Sequence, residues 1–110
     1  MILRIFRLRA HPGRGAALEH IVRTRGVPNI RGREGLVALL LGRPDEGDGD
    51  ELVLVSLWRD LAAVRAFKGD AWREARLLPE EIELTAAASV SHVVVDTVAG
   101  PIDAFLGGAG

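Results

Sequence analysis

The chain has 110 residues, of which 48% are hydrophobic and none is cysteine, so it suits one compact domain without disulfides or thiolate metal sites. Its net charge is −1, which is the sum of +7 in residues 1–43 (nine Arg against two Glu) and −8 in residues 44–110 (five cations against thirteen acids). Because the arginines of the first part are scattered along the chain, we expect no nucleic-acid partner. No apolar run approaches the ~18 residues of a membrane span, so we expect neither anchor nor export, and a cytoplasmic protein.

The first predicted elements are a strand and a helix. The segment ILRIFRL, residues 2–8, is rich in β-branched and aromatic residues and ends at the turn sequence HPG, which predicts a strand. The following GAALEHIVRTR has apolar residues at helical spacing, among them Leu18 and Val22. Gly26 and Pro28 are expected to end this helix.

Two apolar runs of strand length come next, LVALLLG at 36–42 and ELVLVSLW at 51–58. The sequence between them, RPDEGDGD, favours turns, so the two runs are predicted to form an antiparallel pair. The loop is acidic but lacks calcium-loop spacing, which would need ligands at Gly47, Gly49 and Ser56. We therefore interpret it as a solvated hairpin tip.

A helix and a last strand complete the predicted domain. Asp60 is placed to cap a helix that Gly69 ends, and Asp70 to cap a second helical piece through Leu78. The segment SVSHVVVD, residues 89–96, reads as a strand. The tail, residues 97–110, is too rich in Gly and Pro for a regular element, although one docked helical turn could carry Ile102, Phe105 and Leu106.

The element order β-α-β-β-α-β predicts an α+β, ferredoxin-like fold in which both helices cover one face of a four-stranded antiparallel sheet. The second and third strands are apolar on both sides, whereas the predicted helices can cover only one side. An exposed apolar sheet face is unusual in a soluble monomer. We therefore expect a homodimer in which a second copy covers that face.

The run LVLVSLWRDLAAVRAFKGDAWREARLLPEE followed by VSHVVV resembles the antibiotic biosynthesis monooxygenase domain family. That family shows a strand ending in Trp, an acidic-capped helix and a last strand with His. The resemblance implies a dimeric α/β barrel, with a domain at 1–96 and a tail at 97–110. The chain departs from the usual His-Tyr pair in having Val93 after His92, and it has no tyrosine.

The resemblance implies a small cofactor-independent monooxygenase that acts on an electron-rich aromatic substrate, such as a phenol, a quinol or a polyketide. The alternative is a dimeric domain that binds a small ligand or has a structural role without turnover. The haem-degrading branch of the family would require an Asn on the first strand, a Trp on the helix and an axial His. The first strand has no Asn, and Phe67 and Arg76 stand at the other two positions, so we do not expect haem degradation.

His92 is the candidate catalytic residue, because it interrupts an apolar strand and its imidazole titrates near neutrality. A core histidine held by hydrogen bonds is the competing interpretation. Trp72 follows the predicted helix break and lines either a pocket or the core. The other candidate substrate-binding residues are Phe6, Phe67 and Arg76, and Trp58 is expected to pack in the core. The three histidines lie on different elements, so we predict no metal site, and no cofactor.

Overall fold

The computed structural model of the protein describes residues 1–101, which form a four-stranded antiparallel sheet in the order β2-β3-β1-β4. The strands are β1 (Ile2–Ala10), β2 (Leu36–Gly42), β3 (Glu51–Trp58) and β4 (Thr85–Val94). The helices are α1 (Gly15–Ile21), α2 (Val27–Ile30), α3 (Leu61–Lys68) and α4 (Pro79–Ile82). The predicted α+β, ferredoxin-like fold is confirmed. The docked turn predicted at Ile102, Phe105 and Leu106 lies outside the described residues.

The core lies between the sheet and the helices, on the face that we call the helix face. Even-numbered residues of β1 and β3 point to this face and are buried, because side chains alternate along a strand. One core cluster joins β1 and β3 to Leu18 and Val22 of the first helical segment. A second cluster surrounds Trp58, which is fully buried, and includes Val64 of α3.

The opposite side of the sheet, which we call the open face, is apolar near the start of β1, whereas charged residues point there near its end, among them Arg7 and Arg9. The odd-numbered residues of β1 and β3 point there, and Leu3, Ile5 and Val55 are only partly buried. Leu40 of β2 is paired with Val55, and Val93 of β4 is paired with Leu3, so both also lie on the open face, where they are 44% and 45% exposed. In the part of the chain that the structure describes, no helix is long and apolar enough to cross a membrane.

The first helical segment is longer than predicted. Neither Gly26 nor Pro28 ends it, because a π-helical turn at Val22–Gly26 connects α1 to α2. Pro28 has no N–H to donate and crowds the preceding turn, and the change of hydrogen-bond register in a π turn accommodates both effects. The segment ends at Ile30, after which Arg31 is extended.

The region after α3 is less helical than predicted. Asp60 caps α3 by accepting a 2.8 Å hydrogen bond from the Ala63 N–H, and Gly69 ends the helix with a φ of 72°, as expected. The predicted second piece from Asp70 to Leu78 is wrong: a 3-10 turn at Gly69–Ala71 leads into irregular chain. Leu78 is extended because Pro79 follows it, and the short α4 begins there.

The acidic β2–β3 loop is more than a solvated tip. The Asp50 carboxylate accepts hydrogen bonds from the backbone N–H groups of Gly13 (3.1 Å) and Gly15 (2.9 Å) at the start of α1. Asp48 and Glu51 pair with Arg9 of β1 at 3.0 and 2.6 Å. The loop therefore fastens the beginning of α1 to the sheet.

Candidate functional site

A row of polar side chains crosses the helix face of the sheet near the end of β3. Arg4 of β1 pairs with Ser56 of β3 on one side and with His92 of β4 on the other. Directly opposed residues on adjacent strands hold their side chains on the same face and within contact of each other. The three side chains therefore lie side by side beneath the helices.

Arg4 is the unusual member of this row. Its side chain is buried, with 5% relative exposure, in an interior where charged groups normally have partners. Its Nε and Nη2 atoms are buried and have no hydrogen-bond partner within residues 1–101. The Phe6 ring lies 5.6 Å from the guanidinium carbon, but a ring face offers no acceptor oxygen. Burial lowers the pKa of Arg4, although a guanidinium keeps its proton at neutral pH.

His92 is held against Trp72. Their ring centroids lie 4.8 Å apart in an edge-to-face arrangement, which is a favourable geometry for aromatic pairs. The Nε2 atom of His92 is buried and has no hydrogen-bond partner in the described chain. Desolvation lowers the pKa of His92, and the positive charges of Arg4 and Arg73 lower it further. The imidazole is therefore neutral at pH 7 and offers a proton acceptor.

Further charged groups surround this pair. Arg73 lies over the Trp72 ring, with its guanidinium carbon 4.5 Å from the ring centroid. Burial lowers the pKa of Lys68, the charge of Arg4 lowers it further, and the charge of Glu81 opposes both. Glu81 is buried, its Oε1 atom accepts a 2.7 Å hydrogen bond from the Leu78 N–H, and burial raises its pKa. The surroundings of Arg4 are therefore rich in positive charge.

The other predicted site residues are placed differently. Phe6 is 9% exposed and packs in the main core, touching the site only through Arg4. Phe67 stacks on Trp58, with ring centroids 5.3 Å apart, and lines a surface depression of about 170 Å³. Arg76 is exposed and lies 3.5 Å from the Glu74 carboxylate. The structure thus brings Trp72 and His92 together but leaves Phe67 and Arg76 outside the row.

Trp58 has the packing role expected from the sequence. Its side chain is fully buried, and its indole Nε1–H donates a 2.8 Å hydrogen bond to Ser56 Oγ. This bond satisfies the one polar atom of the indole in the interior. Ser56 therefore connects the core around Trp58 with the Arg4 side chain beside it.

Sequence reasoning missed Arg4, Lys68 and Glu81. The sequence did contain a signal for Arg4. Side chains alternate along a strand, so Arg4 must lie on the same face as the other even-numbered residues of β1, which are apolar and buried: Ile2, Phe6 and Leu8. An arginine on the apolar face of a strand indicates a buried charge. Lys68 and Glu81 gave no comparable signal, because charged residues at helix ends are usually solvated.

The site has no obvious metal ligands. Residues 1–101 contain no group of three or more His, Asp or Glu side chains able to hold a metal ion. Phe67 and Arg76, which occupy the Trp and axial His positions of the haem-degrading pattern, face Trp58 and solvent respectively. The residues present therefore do not fit that way of binding haem.

The ferredoxin-like sheet, with its helices over a buried polar row, defines an α+β protein. Its sequence matches the antibiotic biosynthesis monooxygenase family over residues 1–76, and the chain belongs to that family. No curated protein matches the chain.

Solved structures share the fold at low sequence identity. PA3566 from Pseudomonas aeruginosa is 18% identical, with a TM-score of 0.65 over 87% of this chain and 94% of that one. Rv0793 from Mycobacterium tuberculosis is 21% identical, with a TM-score of 0.65 over 90% and 98%. A point mutant of MhuD with two manganese protoporphyrin IX molecules bound per active site is 20% identical, with a TM-score of 0.68 over 92% and 100%.

Proposed function

We propose that this protein is a cofactor-independent monooxygenase that oxidises an electron-rich aromatic substrate, a phenol or a quinol, between the helices and the sheet. The observation that carries the proposal is His92, a neutral imidazole whose buried Nε2 has no partner among residues 1–101 and whose ring packs against Trp72. In the tautomer that carries its proton on Nδ1, this nitrogen is a proton acceptor, and the indole is a flat apolar wall against which an aromatic ring can stack. Membership of the monooxygenase family supports the same chemistry.

The proposed reaction begins when the substrate hydroxyl gives its proton to Nε2 of His92. The resulting phenolate is electron-rich enough to transfer one electron to dioxygen, and the two radicals combine to form a carbon–oxygen bond. The peroxide anion formed in this way takes the proton back from His92 and becomes a hydroperoxide. Loss of water from the hydroperoxide then leaves a quinone, so that one phenol and one dioxygen give one quinone and one water. The apolar enclosure around Trp72 keeps solvent away from these intermediates.

Oxygen consumption tests this proposal. The purified protein is supplied with naphthols, anthrones and quinols, and oxygen uptake is recorded together with the quinone absorbance. We expect saturable uptake with at least one of these compounds and its loss in His92→Gln. Binding without oxygen uptake by any of them would contradict the enzyme proposal and favour the non-catalytic ligand-binding domain.

Haem provides a contrasting test. Because Arg76 stands at the axial position and cannot coordinate iron, we expect titration with haemin to give no stoichiometric shift of the Soret band. The introduction of a histidine, Arg76→His, serves as the matched comparison. A saturable one-to-one complex with the unmodified protein would contradict the exclusion of the haem-degrading branch.

We also propose that the protein acts as a homodimer, with the open faces of two sheets packed together. The partly exposed apolar residues on that face support this assembly, as does the family's barrel architecture. A small aromatic ligand would then occupy the helix side of each sheet, away from the contact between subunits. The cytoplasmic location, and the boundary between a domain at 1–96 and a tail at 97–110, stay predictions.

A further inference from the structure

We propose that Arg4 is an anion-binding residue and that the ligand of this site is an aromatic acid, whose carboxylate is held by the Nε and Nη2 groups of Arg4. The inference rests on the proposed function for the position of the aromatic ring beside Trp72. It goes further in naming a charged group that the ligand must carry.

The two unpartnered atoms form one edge of the guanidinium. Nε and Nη2 each direct an N–H outward along the same edge, within the guanidinium plane and parallel to each other, and both are buried without an acceptor in residues 1–101. Two parallel N–H groups match the two oxygens of a carboxylate, which is the commonest bidentate partner of arginine. A single phenol oxygen would satisfy only one of them.

The protein itself supplies little to neutralise Arg4. Ser56 is uncharged, and its Oγ already accepts the Trp58 indole N–H. Glu81 is the buried carboxylate of this region, but its Oε1 atom accepts the Leu78 N–H, and it also lies near a second cation, Lys68. A buried charge without an opposite charge or a full set of hydrogen bonds is strongly unfavourable. An anionic ligand would remove that cost when it binds.

The position of Arg4 suits a ligand that also reaches His92. The two residues are a directly opposed pair on β1 and β4, so an acid seated on Arg4 has its ring near Trp72 and an ortho hydroxyl near the imidazole. Lys68 and Arg73 add positive charge around the same place. The ligand class is therefore a hydroxyaryl carboxylate.

The test compares 2-naphthoate with 2-naphthamide, which has the same shape without the charge, by isothermal titration calorimetry. Because a charge-assisted hydrogen bond contributes about 1.5–3 kcal/mol, we expect naphthoate to bind about 10- to 100-fold more tightly. The preference should persist in about 0.5 M NaCl, since buried charges are screened far less than exposed ones. Equal affinity for the two compounds, or a preference that salt abolishes, would overturn the proposal.

Variants separate Arg4 from general charge effects. Arg4→Met should reduce naphthoate binding to the naphthamide level, and Arg4→Lys should restore part of it. The control is Arg7→Met, an exposed arginine on the opposite face of the same strand, which should leave binding unchanged. Arg4→Met should also raise the Tm of the free protein, because an unpaired buried charge is replaced by an apolar chain. A lower Tm would show that Arg4 is paired within the fold and would count against an anion site.

These measurements need no turnover, so the two proposals can fail separately. If the protein prefers naphthoate through Arg4 but consumes no oxygen with any phenol, the anion site is supported and the oxygenase is overturned. Oxygen uptake from neutral phenols, together with equal binding of naphthoate and naphthamide, would support the oxygenase and overturn the anion site.

Discussion

At the scale of single residues, the proposed chemistry depends on how the sheet pairs Arg4 with His92. Burial lowers the pKa of His92, the positive charge of Arg4 lowers it further, and a neutral imidazole accepts a proton. While its N–H groups hold the proposed carboxylate, the positive charge of Arg4 would also lie near the negative charge that proton transfer leaves on the substrate. In the proposed reaction, this cross-strand pair would combine a base, His92, with a positive charge, Arg4, that stabilises the anion formed.

The pH dependence of oxidation should report the lowered pKa of His92. The groups that lower it besides burial are Arg4 of β1 and Arg73 after α3, and both stay charged throughout the range. Because only the neutral imidazole is a base, kcat/KM should be constant near pH 7 and fall only around the lowered pKa of His92, at a pH below the ordinary value of about 6.5. His92→Gln should remove this acid limb and lower kcat by roughly 100-fold or more.

The same shift gives a check that does not need a substrate. Because the folded protein binds a proton at His92 less readily than the unfolded chain does, its stability falls as the pH drops below about 6.5, and the loss stops below the lowered pKa. Urea unfolding of His92→Gln across this range should lack that contribution. An oxidation pH profile that is unchanged in His92→Gln would show that His92 is not the base, and an unchanged stability profile would show that the fold does not lower its pKa.

The two tryptophans should differ when each is changed to phenylalanine. Trp58→Phe removes the hydrogen bond to Ser56 Oγ in a fully buried position, so we expect a loss of about 1–3 kcal/mol from that bond, in addition to lost packing. Trp72 has no comparable bond among the interactions described, so Trp72→Phe should cost less stability but weaken binding of naphthoate. Equal losses of stability, measured by chemical denaturation, would contradict this division of roles.

At the scale of elements, the start of α1 depends on a residue from another element. Asp50 accepts two backbone N–H groups there, and the preceding Arg14 makes no side-chain cap. Asp50→Ala should therefore cost about 0.5–2 kcal/mol in chemical denaturation. Asp45→Ala, an exposed position in the same loop, is the control and should change stability by no more than about 0.5 kcal/mol.

Gly15→Ala tests the same contact by sterics. A Cβ at Gly15 would meet the carbonyl oxygen of Gly49, so the loop would have to move away from α1. We expect this substitution to cost more than Asp50→Ala. An unchanged unfolding midpoint in both variants would show that the loop does not support the helix.

The elements predictable from the sequence were those with a strong local signal. The bounds of β2 and β3 match their apolar runs, and Asp60 and Gly69 delimit α3 because capping and positive φ are local properties. Pro28 misled the prediction because the π turn that accommodates it has no sequence signature. The contact of Asp50 with α1 joins residues 35 or more apart, which local patterns do not encode.

The site was less predictable than the fold, for a related reason. His92 could be proposed as a site residue because it interrupts an apolar strand, and Trp72 because it follows the end of a helix. Their contact could not be predicted, because the two residues are twenty positions apart and the irregular chain after α3 brings them together. Arg4 shows the limit more clearly. Strand parity indicates that it is buried, yet only the register of β1 with β4 shows that it lies beside His92.

At the scale of the whole molecule, the open face of the sheet should hold two copies together. Leu40 and Val93 are exposed there, and in the proposed dimer Leu40→Glu or Val93→Glu would bury a charge without a partner. In sedimentation equilibrium we therefore expect each variant to contain more monomer than the wild-type protein. Ile82→Glu is the matched control: Ile82 is an apolar residue of α4, 58% exposed and away from the open face, so its substitution should leave the assembly unchanged. A folded wild-type monomer at micromolar concentration would contradict the dimer, and with it the explanation for an apolar surface on both sides of one sheet.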